Sequence, residues 1–303
     1  MTTTTNTTTE TPQETLPQDT KETKTLADYR AMVNIASEQG GADLDRETLT
    51  QIGDTVLTGI SRDEDSRAKW VVRYDEAIKN AMQEKETKSY PFDNASNVKY
   101  PLIASASQQF HARSYGAIIK GNDIVKGKVL VEDQNNQMQA VADAVAQHMS
   151  NQLLEEMVGW VDGLDKTLGM LPIVGAVFKK TYRSEIKRMN VSEYITAKDV
   201  IIKYSAVSVE EAPRVTHPQT YSKNEVLSMV RSGQWRQDAL DIFAEESEDD
   251  DNYFNYYECH TWYDLDNDEY AEPYIITVEQ ATGKVVRIVA RYDMADIEQN
   301  SKA

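Results

Sequence analysis

The stretch from Val161 to Arg183, VDGLDKTLGMLPIVGAVFKKTYR, limits what this chain can fold into more than any other. Its apolar run, Leu168 to Phe178, lies between acidic and basic flanks. A run of that length falls well short of the ~20 apolar residues that a bilayer crossing needs, so it belongs in a protein core. Gly169, Pro172 and Gly175 interrupt it. Proline removes a backbone donor and glycine permits close approach, which predicts a helix kinked at Pro172 and packed tightly on a neighbour. Lys179, Lys180 and Arg183 come next, suiting a helix C-terminus or a surface that faces an acidic partner.

Immediately upstream, Gln137 to Trp160 has the clearest helical period in the chain. Met138, Val141, Val145, Met149, Leu153, Met157 and Trp160 recur every three or four residues. At ~25 cal/mol per Å² of apolar area, burying this stripe contributes on the order of 10 kcal/mol before entropy, which reads as a core element. A methionine-rich binding face is the lesser alternative. With 303 residues, 40% of them hydrophobic, the chain can build a sizeable core as one large domain or two small ones.

Charge and cysteine usage narrow the function classes. A formal charge of -18 argues against a surface that grips DNA, because non-specific affinity comes mainly from neutralising phosphates with Lys and Arg. The single cysteine, Cys259, excludes an internal disulfide and fits a reducing compartment. The sequence shows neither a signal-peptide pattern nor an apolar run of membrane-spanning length, so no membrane association is expected.

Taken in order, residues 1–24 are threonine-rich with almost nothing to bury and are expected to be disordered. Leu26 to Ala36 reads as a short helix ended by Gly40 and Gly41, and Leu44 to Ile60 as a second with Leu49, Ile52, Val56 and Ile60 on one face. Ser61 and Glu64 form a capping-box pattern ahead of a third, whose buried face carries Trp70, Tyr74, Ile78 and Met82. After the loop YPFDNASN, with Asn97 as a potential cap, Lys99 to Ile119 reads as a helix with Ile103, Ala106, Phe110 and Ala117 on its apolar side. Gly121 to Val131 alternates as a strand or hairpin, and Val200 to Tyr204 reads as a short strand. Ser222 and Glu225 cap a helix through Val230 that closes near Gly233. Ala244 to Asn252 is a solvated acidic block. Three alternating segments follow, Tyr256–Tyr263, Pro273–Val278 and Lys284–Tyr292, with a tight turn at Thr282 and Gly283. They predict an antiparallel meander with Tyr257, Cys259, Tyr274, Ile276, Val286 and Ile288 on one face. The fold class expected is α+β.

Little chemistry is visible. Asp264, Asp266 and Asp268 occupy the first, third and fifth positions of a calcium-loop pattern, but Glu269 replaces the required glycine and Ile275 the bidentate glutamate. A solvated turn is the favoured reading, with weak cation binding as the alternative. His111, His148, His217 and His260 show no metal-ligand spacing on a helix, and His111 and His148 are expected on helix surfaces. Cys259 and His260 are neighbours on a strand and point to opposite faces, so they cannot readily pair as nucleophile and base. No phosphate-cradling glycine loop and no nucleophile elbow is present. No catalytic residue, metal or cofactor is assigned, and an enzyme is disfavoured.

The segments DKTLGMLPIVGAVFKKTY, MNVSEYITAKDVIIKY and EAPRVTH resemble portal proteins of tailed bacteriophages. YPFDNASNVKYPLIASASQQFHARSY upstream and YYECHTWYDLDNDEYAEPYIITVEQATGKVVRI downstream stand in the same order, so the resemblance covers about Tyr90 to Tyr292. It implies a homo-oligomer, a dodecameric ring at one capsid vertex through which double-stranded DNA is packaged and ejected without sequence-specific binding. The implied partners are the terminase large subunit, capsid and scaffold proteins, and neck and tail proteins. The implied locations are the virion and, during assembly, the host cytoplasm. An acidic surface suits a conduit along which DNA slides. Family members continue into stem, clip and crown regions, so the chain, which stops at Ala303, is expected to be the N-terminal part and by itself to give monomers or irregular oligomers.

The organisation expected is a disordered tail (residues 1–24), a helical arm (25–89), a helical core (90–190) and a wing-like α+β region ending in the meander (191–303). Two other functions remain open: an accessory head or scaffold protein, and a DNA-processing metalloenzyme using Asp264, Asp266, Asp268 and the acidic block.

Overall fold

The computed structural model describes residues 34–37, 44–84, 89–93, 95–96, 100–130, 137–184, 187–244, 253–265 and 269–292. The threonine-rich tail, residues 26–33 of the first expected helix, Asn97, residues 245–252 of the acidic block, Asp266 and Asp268 lie outside them.

Helix α1, Arg46–Met82, replaces the two helices expected on either side of Ser61. Asp45 caps it, accepting the Thr48 N–H at 2.7 Å, so the Ser61 and Glu64 pair stands mid-helix with no free N–H group to satisfy. Leu49, Ile52, Val56, Ile60 and Tyr74 are buried along it as the spacing requires, whereas Trp70 and Ile78 are half-buried and Met82 is exposed. Leu49, Ile52, Val56 and Ile60 join the largest core cluster.

Helix α2, Leu102–Ile118, starts after Pro101. The side expected to be buried faces out: Ile103, Phe110 and Ala117 are exposed, and the buried position is Ser107. Helix α3, Gln137–Asn151, is followed by a π-helical turn, Gln152–Glu156, and α4, Trp160–Val174. The helix expected from Gln137 to Trp160 is thus interrupted. Pro172 falls in the last turn of α4, and the helix ends at Gly175 with φ 82°. Lys179, Lys180 and Arg183 therefore stand on strand β1, Phe178–Ser184, and cap no helix. The strand or hairpin expected from Gly121 to Val131 does not form among the described residues: 121–122 are a turn and 123–130 carry no regular secondary structure.

Strands β1 and β2 (Met189–Ile195) form an antiparallel hairpin. The main sheet has the order β3-β4-β5-β6-β7 and is antiparallel throughout. β3 shrinks to Ile201–Ile202. β4, Arg214–Ser222, has no counterpart in the sequence reading. β5 (Tyr253–Tyr263), β6 (Glu272–Glu279) and β7 (Val285–Ala290) are the expected meander, with Gly283 at φ 72° in its turn. An α+β fold results, with a helical region first and the meander last.

Two cores sandwich the sheet. Tyr257, Cys259, Tyr274, Ile276 and Ile288 share a cluster with the α1 stripe. On the other side, Phe254, Tyr256 and Val286 pack with Val226, Trp235 and Ala239. These last come from α5, Lys223–Arg231, and from the 3₁₀ segment Gln237–Ala244 and its approach. Val286 was expected on the first face; a bulge between Thr277 and Val278 shifts the register and turns it to the second. The capping box of α5 is complete: the Ser222 N–H donates to Glu225 at 2.8 Å and the Glu225 N–H to the Ser222 hydroxyl at 3.4 Å.

Polar clamps fasten α1 to the sheet and its loops. Arg214 Nε donates to the buried Asp63 carboxylate at 2.8 Å and Nη2 to the Gly59 carbonyl at 3.0 Å. Arg67 donates to the carbonyls of Val200 (2.9 Å) and Lys198 (2.5 Å). The turn at Asn34–Ser37 replaces the expected end of a helix and seals the outer edge of β7. Ile35 N–H donates to the Ile288 carbonyl at 2.8 Å, while the Asn34 amide oxygen accepts the Ile288 N–H at 3.1 Å and its nitrogen donates to the Val286 carbonyl at 3.2 Å.

Candidate functional site

Among the described residues, a set of titratable side chains lies where the β1–β2 hairpin meets the main sheet. His217 and Glu258 are register partners on β4 and β5, and alternation puts Gln219 and His260 on the same face. The Glu258 carboxylate accepts from Lys180 Nζ at 2.5 Å, reaches His260 Nε2 at 3.2 Å and accepts from Gln219 Nε2 at 3.4 Å. Gln219 also contacts His217 Nδ1 at 3.3 Å and accepts the Tyr221 hydroxyl proton. From the hairpin, Tyr182 donates to Glu193 at 2.9 Å.

Burial alone would raise the Glu258 acid, but the hydrogen bond from His260 and the Lys180 ammonium outweigh it and hold the group down at about 2. Burial, and then the bond to Glu193, pushes the Tyr182 phenol up to about 12. Burial also raises Tyr221, with the Glu258 charge adding to it. His217 is lowered, by burial and then by Lys180. The carboxylate is thus locked in its charged form and the phenols in their neutral form. Such an arrangement fastens one sheet to another.

The other histidines and carboxylates are dispersed. His111 is half-buried between α2 and α4, with Nε2 at 2.7 Å from Asp165 and its ring stacked 5.9 Å from Tyr115. His148 borders an open polar hollow with Asn122, Asp123, Gln147, Asn151 and Glu155. Cys259 and His260 do point to opposite faces: Cys259 is buried beneath α1, where burial lifts its thiol to about 11 despite a 3.4 Å bond from Thr216. Asp264 accepts the Glu269 N–H at 3.0 Å, bracing the turn in which Glu269 takes φ 70°. Among the described residues, no group of three or more His, Cys, Asp or Glu is arranged to hold a metal ion.

The stripe read first as core, with a binding face as the lesser alternative, is in its first half an exposed apolar surface. Along α3, Met138 is 57% exposed, Val141 64%, Val145 51% and Met149 45%, while Ala146 and Ser150 on the opposite side are buried. The small side packs because the chain lies close there: a methyl group on Gly127 would overlap Ala142, and the Ser150 hydroxyl accepts the Val125 N–H at 3.0 Å. Helix α2 repeats the inversion. Its Ser107 hydroxyl donates to the Gly169 carbonyl at 3.0 Å on α4, and Leu102, Ile103, Phe110 and Ile118 face outward. The ~10 kcal/mol expected from the stripe is therefore realised only in part within one chain. Exposed apolar faces of this extent mark interaction surfaces. No helix among the described residues is long and apolar enough to cross a membrane.

No protein-family model matches the chain. No curated protein matches it either.

Proposed function

We propose that this chain is a portal protein of a tailed bacteriophage, or the N-terminal part of one. In that role it contributes to the ring at a capsid vertex through which double-stranded DNA is packaged and later ejected, and to which terminase and the neck or tail attach. The observation that carries the reading is the Met138–Met149 face of α3, which a solitary chain leaves in water and a ring of copies would cover. The ordered blocks from Tyr90 to Tyr292 give the reading its family. The charge of -18 fits a channel wall that releases DNA, and the locked ionisation around Glu258 fits a structural, non-catalytic protein. The virion and, during assembly, the host cytoplasm are its places of action.

The test is assembly. Because the α3 face is exposed, purified protein should associate with rising concentration in sedimentation velocity, giving the irregular oligomers, in place of the monomers, expected of this chain. Val141→Asp with Val145→Asp should abolish association while leaving the thermal transition unchanged, since both side chains are already in solvent. Wild-type protein that stays monomeric at all concentrations would overturn the proposal, and a Mg²⁺-dependent nuclease activity would replace it with the metalloenzyme reading.

A further inference from the structure

Arg287 of β7 is the register partner of Thr277 on β6, which pairs in turn with Glu258 on β5 and, through it, with His217 on β4. Partners in register share a face, so the four side chains form one row across the second face of the sheet. Thr277 is buried between the two charged residues. Burial lowers the Arg287 guanidinium from its usual value, and the Glu258 charge works against that. Among the described residues, however, the Arg287 side chain makes no hydrogen bond and no ion pair, and its Nε is fully buried without an acceptor. A guanidinium held partly out of water with none of its five N–H donors met by the protein is costly, and the cost points to a missing acceptor.

The acceptors nearby are engaged. Glu258 already takes hydrogen bonds from Lys180, His260 and Gln219, and Glu193, the carboxylate of the facing hairpin, takes the Tyr182 hydroxyl. Donors, by contrast, are left over. An ammonium carries three N–H groups, and Lys180 gives one of them to Glu258. The Gln219 amide nitrogen can only donate, so its contact with His217 Nδ1 places the proton of the neutral ring on Nε2, where no described protein atom accepts it. Arg287, Lys180 and His217 thus bring unmet donors to the surroundings of Glu258 from β7, β1 and β4. The recess is open on one side. The α5 core covers Tyr256 and Val286, and the hairpin reaches Glu258, but the next row, Val215, His260, Ile275 and Val289, is only half-buried, as is Arg287 itself.

We infer that Arg287, Lys180 and His217 form a binding site for a phosphate-type oxyanion, either free phosphate or the end group of a phosphomonoester. The guanidinium fork matches two oxygens of such a group side by side. Because the remaining donors stand on other elements, a tetrahedral anion, with oxygens in several directions, meets more of them than a planar carboxylate does. Glu258 and Glu193 repel the anion, which predicts a modest affinity. The site is contained in one chain and does not rest on the ring reading.

Calorimetric titration of inorganic phosphate into the full chain, against chloride at the same ionic strength, tests this. Binding should be saturable, and Arg287→Gln should weaken it on the order of tenfold or more. Arg287→Lys, which keeps the charge and loses the fork, should recover only part. Phenyl phosphate separates the two sources: tighter binding than inorganic phosphate assigns the site to a monoester, and weaker binding assigns it to the free anion. No saturable binding by the wild type, or equal binding by folded Arg287→Gln, would overturn the site, and acetate binding as tightly as phosphate would overturn its ligand class. Should Arg287→Gln fail to fold, Arg287→Lys takes its place under the same criterion.

Discussion

Gly53, on the sheet-facing side of α1, lies so close to the Gly283 carbonyl in the β6–β7 turn that a methyl group on Gly53 would overlap that oxygen. The helix reaches the sheet at this point only because position 53 has no side chain. Gly53→Ala gains ~1 kcal/mol of helix propensity, but forcing backbone apart in a packed core costs ~1–3 kcal/mol. A net loss of up to about 2 kcal/mol is expected in chemical denaturation; a stabilised variant would show that the turn moves aside freely.

Lys180 and Glu258 join the hairpin to the main sheet through partly buried charges. Lys180→Met should cost about 2 kcal/mol, mainly by leaving Glu258 without its ammonium. Adding Glu258→Gln should restore part of that loss, because the stranded charge is then gone. A double-mutant cycle by urea unfolding measures the coupling; additive losses would mean that the pair does not hold the hairpin down.

Arg67 is an independent clamp. Its guanidinium serves carbonyls of the 197–200 loop and lies 5.9 Å from the Trp70 ring centroid. Arg67→Ala should lower stability by about 2–3 kcal/mol, the range for charge-assisted bonds whose buried acceptors are left unmet. Arg67→Lys should recover only part of it, since one ammonium cannot span the fork. Full recovery by lysine would exclude the forked geometry as the source.

Acidification should weaken the fold in two stages. His217 lies below its ordinary value of 6.5 in the folded chain, so the unfolded chain takes up that proton first, and stability falls as pH drops below about 6.5. Glu258 is held below 4.5, so its contribution is present above that pH and is lost as pH falls from there toward about 2. Unfolding free energy followed against pH should show both steps, and His217→Gln should remove the first alone. A first step that survives His217→Gln would assign it to another group.

Local chemistry made several elements legible. The Ser222–Glu225 box, the Gly283 turn and the α1 stripe each depend on residues close in sequence, and each formed. β4 was not legible because Pro218 interrupts its pattern. β3 pairs only with Val215 and Thr216, so Pro218 sits where no outer strand needs its missing donor. The cluster around Glu258 was hidden for the same reason: His217 meets it only through the β4–β5 register. The α3 stripe shows a different limit. Periodicity reveals that Met138, Val141, Val145 and Met149 share a face, but not whether this chain or another molecule covers it.

The turn at Asn34–Ser37 makes the order of synthesis matter. Its partner, Ile288, lies 254 positions later than Asn34. A ribosome must therefore build nearly the whole fold before the first described residues find their place. Until then α1 presents Leu49, Ile52, Val56 and Ile60 with no sheet to cover them, and the meander, once made, has a bare outer strand. Contacts this distant in sequence form late. The interval between emergence of α1 and arrival of β7 is thus when a growing chain is most open to capture by chaperones or by its own siblings on the same message.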